Sequence, residues 1–296
     1  MSNLRLAAQA AVRSRRSLVL AAGVGLALLC ATLSSATPAV AARAAASAYP
    51  SSIAAIGHSD TNGSGVKGPR TNWVHSSWVT GDSPAVQSVY SRILARNPAI
   101  RGNKFNLAIN GADAASMLLQ AKKAVGLKPA PELVVVHGID NDIACDTVSH
   151  KPFQTAFARV LETVAAGLPD TRIFVVSQFG SPTTFAKALT IKQRLRLAGG
   201  SAGGSGPCDF IGRNGAIRPK QLAYLEAVIH RYETAVATAC KPVTTCRYDG
   251  GAFGRVVDRR EWISTDLRHF SLEGNAKAAA VAWSALKRVG FIPSTG

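Results

Sequence analysis

The chain has 296 residues, 34 Lys and Arg against 17 Asp and Glu, and a formal net charge of +17. That length exceeds one average domain, and a field of that sign favours anionic partners. No Lys/Arg run with interleaved aromatics and no nucleic-acid motif stands out, so attraction to a polyanionic surface, such as wall polymer or acidic lipid headgroups, is favoured over specific nucleic-acid binding.

In chain order, Arg5, Arg13, Arg15 and Arg16 form a basic start, 18–33 is apolar and uncharged, and Ala39-Val40-Ala41 offers the small-x-small pattern that signal peptidase cuts. Residues 1–41 are therefore expected to be a signal peptide, 42–296 a single domain, and the mature protein secreted. The apolar run is too short and too rich in Ala and Gly for a membrane span. Leu29 stands where lipid attachment at Cys30 wants a small residue. Cleavage removes four Arg and no acid, leaving 30 Lys and Arg against 17 Asp and Glu, a net charge of +13.

Short β-rich apolar runs then alternate with helical patterns. Strands are predicted over 52–56, 105–109, 133–137 and 173–177, with a weaker fifth over 245–248. Helices are predicted over 84–97, 112–125, 152–166, 184–197, 219–239 and 272–289, the clearest being 219–239, with Leu222, Leu225, Val228, Ile229, Tyr232 and Val236 on one face. Nearly continuous apolar strands between helices imply an α/β domain whose mostly parallel sheet is covered on both faces. The stretch 198–206 (AGGSAGGSG) reads as a surface loop.

Four cysteines follow the leader: Cys145, Cys208, Cys240 and Cys246. An even count in an exported protein reads as two disulfides. Of the three possible connectivities the expected one has Cys240 and Cys246, which flank Pro242, close a small loop, which would leave Cys145 to pair with Cys208. Zinc is disfavoured because no two cysteines show C-x-x-C spacing.

In an open parallel sheet, chemistry gathers at the carboxyl ends of the strands. After the first strand come Gly57-His58-Ser59-Asp60, after the second Asn110-Gly111-Ala112-Asp113, and after the third Gly138-Ile139-Asp140-Asn141-Asp142. Ser59 can attack an acyl carbon, while the Gly111 backbone N–H and the Asn141 amide can stabilise an oxyanion. Far downstream, Asp266 precedes His269 by three residues, a spacing that lets a carboxylate hold an imidazole in one tautomer. Asp60, His137, Asp140 and Asp142 match no metal-ligand spacing, so a metal-dependent hydrolase is disfavoured.

These blocks together resemble the SGNH/GDSL hydrolase family: Gly57-His58-Ser59-Asp60, 106–112 (NLAINGA), Gly138-Ile139-Asp140-Asn141-Asp142 and Asp266-Leu267-Arg268-His269, in family order across 52–290. The resemblance implies a flavodoxin-like three-layer α/β/α sandwich with a five-stranded sheet. It further implies Ser59 as nucleophile, His269 as base, Asp266 as its orienting acid, and Ser59, Gly111 and Asn141 as the oxyanion hole. Two departures stand out. His58 replaces the usual Asp before the nucleophile, with Asp60 following it, and the third block is stretched by one residue. A residue packing at the strand end is the plainer role for His58. A literal Gly81-Asp82-Ser83 also occurs, but Ser83 before Pro84 reads as a helix cap, with no apolar run leading into it. The expected function is a secreted, cofactor-free, monomeric serine hydrolase of carboxylic esters, lipase- or esterase-like. Polysaccharide deacetylation is the runner-up, and a non-catalytic basic wall-binding protein the non-enzyme alternative.

Overall fold

The computed structural model describes residues 48–68, 73–146, 150–199 and 206–295. The expected leader over 1–41 and most of the Gly-rich stretch 198–206 lie outside them. Along the chain run β1 (Ile53–Gly57), α1 (Val89–Leu94), β2 (Lys104–Asn106), α2 (Ala114–Val125), β3 (Leu133–His137), α3 (Lys151–Gly167), β4 (Arg172–Val176), α4 (Pro182–Ala188), α5 (Ile191–Ala198), α6 (Pro219–Cys240), β5 (Cys246–Tyr248) and α7 (Leu272–Arg288).

The five strands pair in the order β2-β1-β3-β4-β5, and every pairing is parallel. The continuous apolar runs follow from burial on both sides. Ala54, Ile56, Val134, Val136, Ile173 and Val175 pack against α2, α3 and α6, while their alternates Ile53, Ala55, Leu133, Val135, Phe174 and Val176 pack with Trp78 against α1 and α7. Full burial of one Val, Leu, Ile or Phe contributes about 1.5–3 kcal/mol, so two such faces commit the segment to the middle layer of an α/β/α sandwich. The order is that of flavodoxin-like sheets, whose switch point lies between β1 and β3. Gly57 and His137, the last residues of these two strands, are register partners there.

Two predicted helices differ. The segment 84–97 yields only α1, because Gln87 takes φ +49° and Ser88 then caps a fresh start by accepting the Ser91 N–H. Ser83 therefore opens a single turn, its carbonyl accepting the N–H groups of Val86 and Gln87, and caps no α-helix. The segment 184–197 is two helices, α4 and α5. Leu189 is extended between them, and Thr190 makes a capping box with Gln193 that restarts the helix.

The two disulfides pair Cys145 with Cys208 and Cys240 with Cys246, with Cα separations of 5.8 and 5.5 Å. The first ties the segment after β3 to the loop before α6, and the second joins the end of α6 to the start of β5. No helix among the described residues is long and apolar enough to cross a membrane.

Candidate active site

The end of β1 is held by a side chain from α2. Gln120, fully buried, accepts the Gly57 N–H (2.8 Å) and donates to the Gly57 carbonyl (2.9 Å), which also accepts the Ile109 N–H (3.1 Å), so both groups are satisfied at the strand end. His58 then turns inward. Its ring lies 4.4 Å from that of His137, which in turn contacts the rings of Trp78 and Phe253, and burial pushes both imidazoles below their ordinary range. His58 thus packs at the strand end, its plainer role.

Ser59 begins a short 3-10 turn, Ser59–Thr61, with its carbonyl accepting the N–H groups of Asn62 (3.2 Å) and Ser64 (3.1 Å). A polar mesh joins this turn to the chain beyond β2. The Asn106 amide donates to the Thr61 carbonyl (3.1 Å) and Thr80 Oγ1 (2.8 Å), and Asn110 Oδ1 accepts from Asn62 (2.7 Å) and the Ser64 hydroxyl (2.8 Å). Gly111 follows, exposed, at φ +73°. Asn141 reaches the same loop from the other side, its Nδ2 donating to the Ala112 carbonyl (3.1 Å). The loop 110–112 is thus held between the Ser59 turn and Asn141.

The third block is strained. Ile139, fully buried, adopts φ +108°, a β-branched residue in a region that disfavours L side chains. Its neighbour must be Gly: a Cβ on Gly138 would stand 2.7 Å from the Phe157 ring. The bend carries Asp140 and Asn141 to the surface and turns Asp142 onto the start of α2, where both its oxygens accept the Ala114 N–H (3.1 Å each). Burial pushes the Asp142 carboxyl up, to about 6.

His269 lies in a tight loop closed by the Ile263–Phe270 bridge and by the Ser264 N–H donating to the His269 carbonyl (2.8 Å). Ile263 and Leu267 pin it into an apolar cluster with Ala186, Leu189, Leu197 and Phe210, and Leu267 takes φ +61° at the tip. His269 Nδ1 meets Asp266 Oδ2 at 2.7 Å, while Asp266 Oδ1 accepts the Ser264 hydroxyl and the N–H groups of Arg268 (2.9 Å) and His269 (3.1 Å). Burial alone would push the Asp266 carboxyl up, but these donors hold it well below the usual carboxylate range. The hydrogen bond to Asp266 raises the His269 pKa against the effect of burial. The final helix is capped by the Ser271 hydroxyl, which accepts the Gly274 N–H (3.0 Å).

Two contacts bring this loop to the Ser59 turn. Gly65 packs so closely that a Cβ there would lie 2.8 Å from His269 Cβ and 2.9 Å from Asp266 Oδ2, and Asp60 Oδ1 accepts the Phe270 N–H (3.3 Å). Ser59 and His269 are the chain neighbours of that bonded pair. No hydrogen bond joins Ser59 Oγ to His269 among the described residues. Catalytic hydrogen bonds are often long in unliganded sites and tighten around substrate. A groove of about 560 Å³ is bounded by Val66, Ile263, Ser264, Thr265 and Leu272, and another of about 540 Å³ lies over Glu226, His230, Glu233 and Tyr248; neither is lined by any of the expected site residues.

No family model matches the chain, and no curated protein matches it. Among solved structures it is similar to phospholipase A1 from Streptomyces albidoflavus, with 14% identity over 79% of this chain and 98% of that one and a TM-score of 0.48. It is also similar to a family 3 carbohydrate esterase from Clostridium thermocellum, with 12% identity over 81% and 96% and a TM-score of 0.47. A third is the lipase/acylhydrolase from Enterococcus faecalis, with 14% identity over 80% and 96% and a TM-score of 0.45.

Proposed function

We propose that the chain is a secreted serine ester hydrolase of the SGNH/GDSL type, with residues 42–296 as one catalytic domain behind a leader over 1–41. The observation that carries this reading is the Asp266–His269 pair at 2.7 Å, set on a loop that packs against the Ser59 turn. With Nδ1 engaged by Asp266, His269 keeps Nε2 for the nucleophile. Ser59 Oγ attacks the ester carbonyl carbon and its proton passes to Nε2, leaving a tetrahedral oxyanion. The Ser59 and Gly111 N–H groups and the Asn141 amide face that charge. His269 then gives its proton to the departing alcohol, and a water molecule, deprotonated by the same nitrogen, releases the acid and restores Ser59. The two disulfides support an oxidising, exported setting.

The Asn141 amide spends one N–H on the Ala112 carbonyl, which fixes its position and leaves the second for the oxyanion. Asn141→Ala is accordingly expected to lower kcat by roughly 10²-fold or more with a smaller change in KM, since the contact strengthens only as charge develops. An unchanged kcat removes Asn141 from the oxyanion hole.

Lipid-like acyl esters are the leading substrate class. Purified protein assayed on esters from acetyl to palmitoyl, alongside acetylated xylan, is expected to favour the acyl series. Turnover confined to the xylan would move the assignment to polysaccharide deacetylation. The mature charge of +13 belongs to the same reading. An ester embedded in anionic vesicles should be hydrolysed faster than in neutral ones at 0.01 M salt. The excess should vanish at 0.15 M, as the Debye length falls from about 30 Å to about 8 Å. Equal rates at 0.01 M would mean that the charge does not recruit substrate.

A further inference from the structure

Asp60 has no role in the chemistry above, yet it is a carboxylic acid set in the interior immediately after the nucleophile. It is 8% exposed. Its backbone N–H points to His58 Nδ1 at 3.4 Å, and its Oδ1 accepts the N–H of Phe270, 210 residues away and next to His269. Phe270 is itself anchored, 8% exposed with its ring 4.7 Å from that of Phe179 and its backbone in the bridge to Ile263. The hydrogen bond therefore joins two fixed points, one on each side of the reacting pair. A carboxyl in this place costs free energy that an Asn or Ser would spare, because burial penalises its ionised form.

Resting on the ester-hydrolase reading, we propose that Asp60 is a positioning residue: its carboxyl clamps the Ser59 turn to the backbone beyond His269 and sets a second negative charge beside the imidazole. The ionisable groups acting on Asp60 are His269, Asp140 and Asp266, with His58 Nδ1 against its backbone N–H; those acting on His269 are Asp266, Asp60 and Asp140, and His269 in turn acts on His58. Burial, with help from Asp140, pushes the Asp60 carboxyl up to about 7, while His269 pulls it down. The attraction is mutual: an ionised Asp60 raises the His269 pKa, as Asp266 does more strongly. When Ser59 gives its proton to His269, the imidazolium so formed lies near two acids, Asp266 through a hydrogen bond and Asp60 through its field. Asp60 exchanges no proton with substrate.

The charge and the clamp separate in two variants. Asp60→Asn keeps an acceptor for the Phe270 N–H and removes the charge; Asp60→Ala removes both. In a Ser59→Ala background, which needs no turnover, the His269 titration followed by NMR is expected to fall by about half a pH unit or more when Asp60 becomes Asn. In the active protein, Asp60→Ala is expected to lower kcat about 10-fold or more with KM changed less. Asp60→Asn should recover much of that loss and shift the acid limb of kcat/KM to lower pH. The Asn variant should also fold well. A carboxyl raised to about 7 from 3.8 contributes its stability fully below 3.8 and loses it as pH rises through 7, so neutralising it favours the fold in alkali. An unmoved His269 titration in Asp60→Asn, or an undiminished kcat in Asp60→Ala, overturns the proposal. Failure of the hydrolase reading shows separately, as activity that survives Ser59→Ala or as none in the unaltered chain.

Discussion

Replacing Ser59 by Ala is expected to lower kcat by about 10³-fold or more on any ester the protein turns over, with the fold intact. Ser59 stands at the switch point of the sheet, in a turn whose backbone is fixed by the Gln120 clamp behind it and by Asn62, Ser64 and Asn110 ahead. Losing one hydroxyl leaves those contacts in place. The loss should therefore appear in kcat, because without an acyl acceptor the reaction has no covalent route, while KM and the melting temperature change little. Steady-state kinetics beside a thermal melt make the comparison. A variant that keeps full activity would place the nucleophile elsewhere, and Ser83, 7% exposed at the start of a turn, would be the next to replace.

The second large effect belongs to Asp266→Asn. The amide is the same size and its oxygen can still accept from Ser264 or the loop N–H groups, so the loop 263–270 should persist. Turned with its nitrogen toward His269, however, it presents a donor where Nδ1 requires an acceptor. The proton then moves to Nε2, the nitrogen that must receive the Ser59 proton, and the carboxylate that hydrogen-bonds the imidazolium is gone. A fall in kcat of about 10³- to 10⁴-fold is expected. The same pair predicts a sign for stability. Asp266 is held below its ordinary range, so its contribution is present above pH 3.8 and is lost as the pH falls beneath it. Asp266→Asn should therefore flatten the acid side of the stability curve as well as slow turnover. An Asn variant within a few fold of the original kcat would detach Asp266 from the base.

The sheet was legible because burial on both faces writes a local signature: Leu133-Val134-Val135-Val136-His137 is apolar at both parities, and β3 occupies those five residues. The Cys240–Cys246 bridge and the Asp266–His269 contact were legible for a similar reason, since six or three residues of separation leave the chain few ways to arrange itself, and Cys145–Cys208, 63 residues apart, followed only as the remaining pair. The helices that went astray did so at single backbone angles. Gln87 takes a positive φ although nothing in its residue type demands one, and Thr190 restarts a helix inside a pattern that reads as continuous. What the sequence withheld about the site is long-range. Gln120 clamps Gly57 across 63 residues, Asn106 and Asn110 hold the Ser59 turn across 45 and more, and Asp60 meets Phe270 across 210. Side-chain bonds to backbone groups across such distances leave no periodicity to read. His58 shows the complementary case: it stands where the family has an acid, and its ring contact with His137 makes it part of the packing.

The most direct test is covalent. Purified protein treated with a fluorophosphonate probe, digested and sequenced by mass spectrometry should carry the label on Ser59. The labelling should vanish on heat unfolding and in Ser59→Ala, and should slow sharply in His269→Ala, because only a hydroxyl deprotonated by a neighbouring base reacts at a useful rate. Label on Ser83 or another serine in the folded protein, with Ser59 unmodified, would contradict the account.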